Sequence, residues 1–237
     1  MSAAGNNLER LDLSPPNLST GGRLIILFVA FAGWMFAGFE MNIIPLAGRP
    51  AIISFLSESS SEAPAEGTVG NWFAAYVCAF LLGAAAGGLL FGRLGDHIGR
   101  SKAMAASILC YSLVTGVSYF VTSLEQLLVL RFVACLGIGG MWPNGVALAS
   151  EAWSDGSRPL LAGLIGTAAN VGFVLLGLLA KYHRVVTPDD WRWVFAYGGL
   201  PAILGILSLA IVPESPRWLA RRPSNGDVGR QTTTSTI

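Results

Sequence analysis

Six apolar runs, each close to twenty residues long, divide the chain at 24–46, 70–91, 103–122, 127–150, 159–180 and 193–212. A helix needs about 20 residues to cross a hydrocarbon core. A backbone in lipid must also satisfy its polar groups within its own segment. Runs of this length are therefore expected to be helices, and the chain an all-α membrane protein with six transmembrane helices. The runs and their short connections consume most of the 237 residues, so no large extramembrane domain fits. Only 12% of residues are charged, against about 25% in soluble domains. That excludes a disordered chain, a nucleic-acid binder and an ordinary soluble enzyme.

Basic residues set the expected orientation. Arg10, Arg23, Arg93, Arg100, Lys102, Arg158, Arg217, Arg221, Arg222 and Arg230 fall on one side of the predicted spans; Arg49, Lys181, Arg184 and Arg192 fall on the other. The positive-inside rule then puts both termini in the cytoplasm of a multi-pass plasma (inner) membrane protein. The expected organisation is a cytoplasmic tail over 1–22, a membrane domain over 23–213 and a cytoplasmic tail over 214–237. Residues 48–69 read as an outer loop, acidic through Glu58, Glu62 and Glu66. Trp72, Trp153, Tyr182, Trp191, Trp193 and Trp218 sit near span ends, where aromatic belts form. Cys78, Cys110 and Cys135 lie in apolar runs without metal-ligand spacing, so they are expected to be small buried residues. No metal site and no cofactor are expected.

Glycines are expected to let helices approach closely. They include Gly83, Gly87, Gly88 and Gly92 in the second span, Gly137, Gly139 and Gly140 in the fourth, and Gly163, Gly166, Gly172 and Gly177 in the fifth. Pro143 and Pro201 should kink the fourth and sixth spans.

Two ionisable residues fall inside apolar runs, Glu40 and Arg131. A charge at a span's centre costs about 2.5–3.5 kcal/mol on insertion scales, so such residues are functional candidates by default. Glu40 reads as a proton-binding carboxyl, or as a residue with a lipid-interface or structural role. Arg131 reads as a fixed charge for an anion or for Glu40, or as a side chain snorkelling to the surface. Asn144 and Asn170 are polar in mid-span and should face the bundle interior, either lining a pocket or making interhelical hydrogen bonds.

The connection after the second span reads Gly92-Arg93-Leu94-Gly95-Asp96-His97-Ile98-Gly99-Arg100-Ser101-Lys102. It closely resembles the signature loop of the major facilitator superfamily, departing at His97 and Ser101, where that family more often has bases. Glu151 and Arg158, and the stretch Pro213-Glu214-Ser215-Pro216-Arg217-Trp218, look like sugar-porter sequences within the superfamily. The resemblance implies two three-helix inverted repeats, equivalent to the N-terminal half of a twelve-span carrier. It implies a gating motif of Gly92, Asp96, Gly99 and Arg100. It also implies that Arg100, Glu151, Arg158, Glu214 and Arg217 form a cluster of ion pairs that latches one state.

The Gly38-Phe39-Glu40 triplet is similar to the Gly-aromatic-Asp of proton-coupled members. Glu40, Arg131, Asn144 and Asn170 would then make the substrate and proton pathway. Gly166 stands where sugar porters place a sugar-binding Gln, which weakens a hexose reading and leaves a small carboxylate as a competitor. The function implied is secondary transport of a small polar solute such as a sugar or organic acid, coupled to protons. The partners implied are that solute, the bilayer, and a C-terminal six-helix half or a second copy. The alternative is a non-transporting truncated or regulatory half. The polar, Thr-rich segment 223–237 reads as an unrelated tail. No P-loop is present, so ATP-driven transport is not supported. With both histidines at loops and no Gly-x-Ser-Gly, neither is an intramembrane protease.

Overall fold

The computed structural model describes residues 18–59, 63–153 and 158–220. Arg10, Glu62, Arg221, Arg222, Arg230 and the Thr-rich tail lie outside these. Among the described residues, six helical stretches are long and apolar enough to cross a membrane: Thr20–Glu58, Glu66–Ile98, Arg100–Phe120, Leu124–Ala152, Arg158–Tyr182 and Arg192–Ile211. Their order is the one the apolar runs predict.

Helix α1 (Thr20–Met41) opens on Ser19, whose hydroxyl accepts the Gly22 N–H at 3.1 Å. It does not end where the hydropathy does. A wide turn over Ile44–Gly48, with Pro45 in its first positions, carries the chain into α2 (Arg49–Ser59). Proline is tolerated at a helical start, where its missing N–H has no partner to lose. The expected outer loop over 48–69 is therefore largely helix. Ile52 and Phe55 bury one face of α2, and Arg49 makes a two-pronged bond to Glu66 at 2.7 and 2.9 Å. That pair ties α2 to the start of α3 (Glu66–Ile98). A helix with one polar face reads as a loop on hydropathy alone.

Helices α4 (Arg100–Val117), α5 (Leu124–Ala152) and α6 (Arg158–Tyr182) follow. Helix α5 runs through Pro143 without a break. The sixth span is interrupted, into α7 (Arg192–Gly198) and α8 (Ala202–Ile211), with Pro201 capping the second piece. The short α9 (Pro216–Ala220) ends the described chain.

The main helix pairs are α3 with α5, α4 with α5, and α1 with α6, with α4 also against α8. Exchanging the first three spans with the last three turns the α1–α6 pair into the α5–α3 pair. That exchange is the mark of two inverted repeats. Close approach is built with glycine. An added Cβ at Gly87 would overlap the Leu136 backbone, and one at Gly139 the Ala84 backbone; Gly38 and Gly172 do the same between α1 and α6. In contrast, Gly92, Gly163 and Gly177 have nothing within 4 Å of an added Cβ. The packing role expected for those three is corrected.

Two further expectations are corrected. Trp191 and Trp193 are only 1% and 6% exposed. They belong to the core at the end opposite the Gly92–Lys102 stretch, beneath Phe55, rather than to an aromatic belt. There Arg192 lies over the Phe55 and Trp191 rings and donates to the carbonyls of Tyr119 and Val121 at 2.7 and 2.8 Å. Cys78 is exposed on α3, whereas Cys135 is buried and Cys110 half-buried. All three are free thiols.

Candidate functional site

Glu40 lies in the last turn of α1, two residues before its C-cap, and is fully buried. Arg131, two turns into α5, is 2% exposed. The two side chains meet: Arg131 Nη1 is 3.3 Å from Glu40 Oε2. Arg131 Nη2 also donates to the Glu40 main-chain carbonyl. From α4, the Thr115 hydroxyl donates to the same Oε2 at 2.7 Å. Glu40 Oε1 and Arg131 Nε have no hydrogen-bond partner. Oε1 stands over Gly198 of α7, where a Cβ would come within 2.8 Å of it. Both interface-bound readings are thus removed: Glu40 is not at a hydrated surface, and Arg131 does not snorkel.

A carboxylate and a guanidinium this deeply enclosed gain from each other what water no longer supplies. Each of the two repeats contributes one partner.

Next to the pair is a cavity of about 280 Å³. Its walls are Met41 of α1, Ile44 and Pro45 of the wide turn, Tyr76 and Phe80 of α3, Phe173 of α6, and Arg131 itself. The Tyr76 hydroxyl is committed to the Leu124 carbonyl at 3.1 Å. Further along α1 and α5, the Trp34 and Trp142 rings lie 4.9 Å apart, and Gly166 of α6 leaves room beside Trp142.

The two asparagines separate. Asn144 is fully buried, and its amide donates to Phe91 O and Gly140 O, both at 2.9 Å. It ties α5 to α3 and is absent from the wall of the cavity. Asn170 is exposed on α6 rather than inside the bundle. A polar side chain on an exposed face of a membrane helix needs water or a partner protein. Asn170 is three residues from Phe173, on the same side of α6.

The signature stretch lies at the other end of the bundle, at the junction of α3 and α4. Arg100 pairs with Asp96 at 2.6 Å across the break between α3 and α4. Gly99 makes that break with φ of 110°, a conformation that favours glycine. An added Cβ there would also overlap the Glu214 carboxylate. Glu214 Oε1 accepts the Ser101 N–H at 3.0 Å and the Ser215 N–H at 2.9 Å, so the carboxylate caps the positive end of α4. Ser101 also donates its hydroxyl to Val212 O at 3.1 Å. The Ser215 hydroxyl bridges Glu151, as donor, and the Trp218 N–H, as acceptor. Trp218 Nε1 donates to Asp96 O at 2.9 Å. Arg158 donates Nε to Ser150 O at 3.0 Å, and Arg217 is exposed on α9. Gly92 faces open space. Capping and serine hydrogen bonds thus join Gly99, Ser101, Glu151, Glu214 and Ser215 beside the Arg100–Asp96 ion pair. Among the described residues no cluster of His, Cys, Asp and Glu could hold a metal ion.

Residues 25–227 match the family described as sugar (and other) transporter. The chain belongs to that family. Its relatives are membrane transporters, not enzymes. The chain is 32% identical over 197 residues to the putative niacin/nicotinamide transporter of Bacillus subtilis, covering 81% of this chain and 45% of that protein. It is 37% identical over 142 residues to an inner membrane metabolite transport protein of Escherichia coli, covering 60% and 32%. It is 29% identical to the arabinose-proton symporter of Bacillus subtilis, covering 86% and 43%. Among solved structures, a double Trp mutant of XylE superposes with a TM-score of 0.73 at 21% identity, over 89% of this chain and 49% of that one. The inward open xylose transporter XylE from E. coli gives 0.72. These likenesses establish a major facilitator fold. The chain spans about a third to a half of the length of the relatives it matches.

Sequence reasoning missed Thr115, Tyr76, Phe80 and Phe173, and met Ser101 and Ser215 only as members of the Gly92–Lys102 and Pro213–Trp218 stretches. Hydroxyl and aromatic residues in apolar runs carry no mark of which neighbour they meet.

Proposed function

We propose that this chain forms the first six-helix half of a secondary carrier that moves a small polar solute together with a proton. Both termini then lie in the cytoplasm, and the membrane domain extends over 23–213. One observation carries the reading: Glu40 is fully buried and held by Arg131 from the opposite repeat. The proton-bound carboxyl releases Arg131, and the released cation faces the adjoining cavity. A site that trades an ion pair for a proton can couple the proton to an anionic or polar solute, because the buried charge stays balanced. Asn170 serves the pathway from the exposed face of α6, while Asn144 holds α5 on α3. The capped junction of Gly99, Ser101, Glu214 and Ser215 latches one end of the bundle, since such bonds open to water at modest cost.

The names of relatives span a sugar, niacin and 4-hydroxybenzoate, consistent with a sugar or organic acid as solute. In proteoliposomes offered a solute panel, the reading expects accumulation only under an inward proton gradient. Equal uptake with and without the gradient contradicts proton coupling. A second reading rests on the partial coverage of relatives: the chain is a non-transporting half until joined by a C-terminal six-helix half or a second copy. Uptake appearing only on adding such a half would favour it.

A further inference from the structure

We infer that the corner where α4 passes into α5 binds one phosphatidylethanolamine of the surrounding bilayer, with an acyl chain in an apolar groove and the ammonium against carboxylates. The inference is independent of the carrier reading, because it uses neither the Glu40–Arg131 pair nor the cavity beside it. Two cavities adjoin at this corner, at the end of the bundle opposite the Gly92–Lys102 stretch, and Glu125 lines both. The first, of about 470 Å³, is walled by Val117, Phe120, Val129 and Leu130, with Glu125 and Gln126 as its polar edge. The second, of about 220 Å³, brings Glu58 of α2 and Trp72 of α3 beside Glu125. Phe120 is 76% exposed, and Val117 and Val129 are also exposed. All three belong to membrane-length spans or their last turn, so an acyl chain is what lies against them. The groove is held in shape from behind: Arg192 donates to the carbonyls of Tyr119 and Val121, which fixes the tight turn over Ser118–Phe120. A site ordered in advance binds without a further ordering cost.

Charge selects the headgroup. Among the described lining residues of the two cavities, the charged ones are Glu58 and Glu125, both exposed. Neither forms an ion pair among the described residues. The cations on neighbouring elements are committed elsewhere, Arg192 to the two carbonyls and Arg49 to Glu66. Two unpaired carboxylates beside an indole ring suit an ammonium that can donate hydrogen bonds. Gln126 supplies the complementary group. Its Oε1 already accepts the Thr122 N–H at 2.9 Å and the Thr122 hydroxyl at 3.1 Å, which leaves its amide N–H donors for a phosphate oxygen. An ammonium, a phosphate and an acyl chain in that succession are the parts of phosphatidylethanolamine. Phosphatidylcholine has no N–H to give the carboxylates. Phosphatidylglycerol has no cation and brings its own negative charge to theirs.

Native mass spectrometry of the purified chain tests this, released from detergent containing equal amounts of the three phospholipids with identical acyl chains. One retained phosphatidylethanolamine is expected, favoured at least about fivefold over phosphatidylcholine, with phosphatidylglycerol weaker still. Glu125→Gln should reduce phosphatidylethanolamine to the level of phosphatidylcholine. Phe120→Ala should lower both by about threefold through lost apolar contact. Both side chains are exposed, so the thermal melt of each variant should stay in place. Glycerophosphoethanolamine, the same head without acyl chains, should not displace the lipid. Equal retention of phosphatidylethanolamine and phosphatidylcholine, undiminished phosphatidylethanolamine in Glu125→Gln, or displacement by the head alone overturns the inference.

Discussion

Glu40 and Arg131 are each unaffordable alone at this depth, and the structure puts them together. Removing one partner of a buried pair leaves an uncompensated charge, at a cost of about 3–5 kcal/mol, whereas removing both can be nearly neutral. Arg131→Met is therefore expected to lower the melting temperature in detergent more than the double change Glu40→Gln with Arg131→Met. Additive losses would show that the two do not interact. Both residues were legible in the sequence, because a charge inside an apolar run stands out without any knowledge of the fold. Thr115, which completes the carboxyl's hydrogen bonding at 2.7 Å, was not: a hydroxyl in a span can satisfy itself on its own helix, as Ser107 and Ser112 do here. Asn144 and Asn170 looked alike in sequence and ended on opposite kinds of surface. Nothing in the composition of one helix says which of its faces meets a neighbour.

The six spans were readable from run length, and the interruption of the last one from Pro201. The extension of the first span through α2 was hidden, because it depends on Phe55 meeting Trp191 and on Arg49 meeting Glu66, contacts distant in sequence. Glycines give the sharpest contrast at this scale. Gly87 is pressed on the Leu136 backbone, while Gly92, five residues on and part of the signature stretch, faces open space. Gly87→Leu is expected to separate α3 from α5 and cost about 1–3 kcal/mol or more by overpacking. Gly92→Ala should stay within about 0.5 kcal/mol. Thermal unfolding of the two variants checks the pair. A Gly92→Ala loss as large as that of Gly87→Leu would contradict the packing described for α3.

The described residues form two three-helix repeats with the Glu40–Arg131 pair between them. The bundle is tied at one end by Glu214 on α4 and at the other by Arg192 over Trp191. Its likeness to XylE extends over 49% of that chain, which is why a second six-helix half belongs in the proposal. The resemblance of the Gly92–Lys102 stretch made this architecture legible early. The site was legible only as two charges, since the cavity is assembled from four helices whose apolar residues look like any core. Solute-induced proton movement tests the central claim most directly. In proteoliposomes carrying the carrier, with a pH indicator outside, adding solute should raise the external pH. With Glu40→Gln that signal should vanish while solute counterflow persists. An undiminished pH signal in Glu40→Gln would contradict the account.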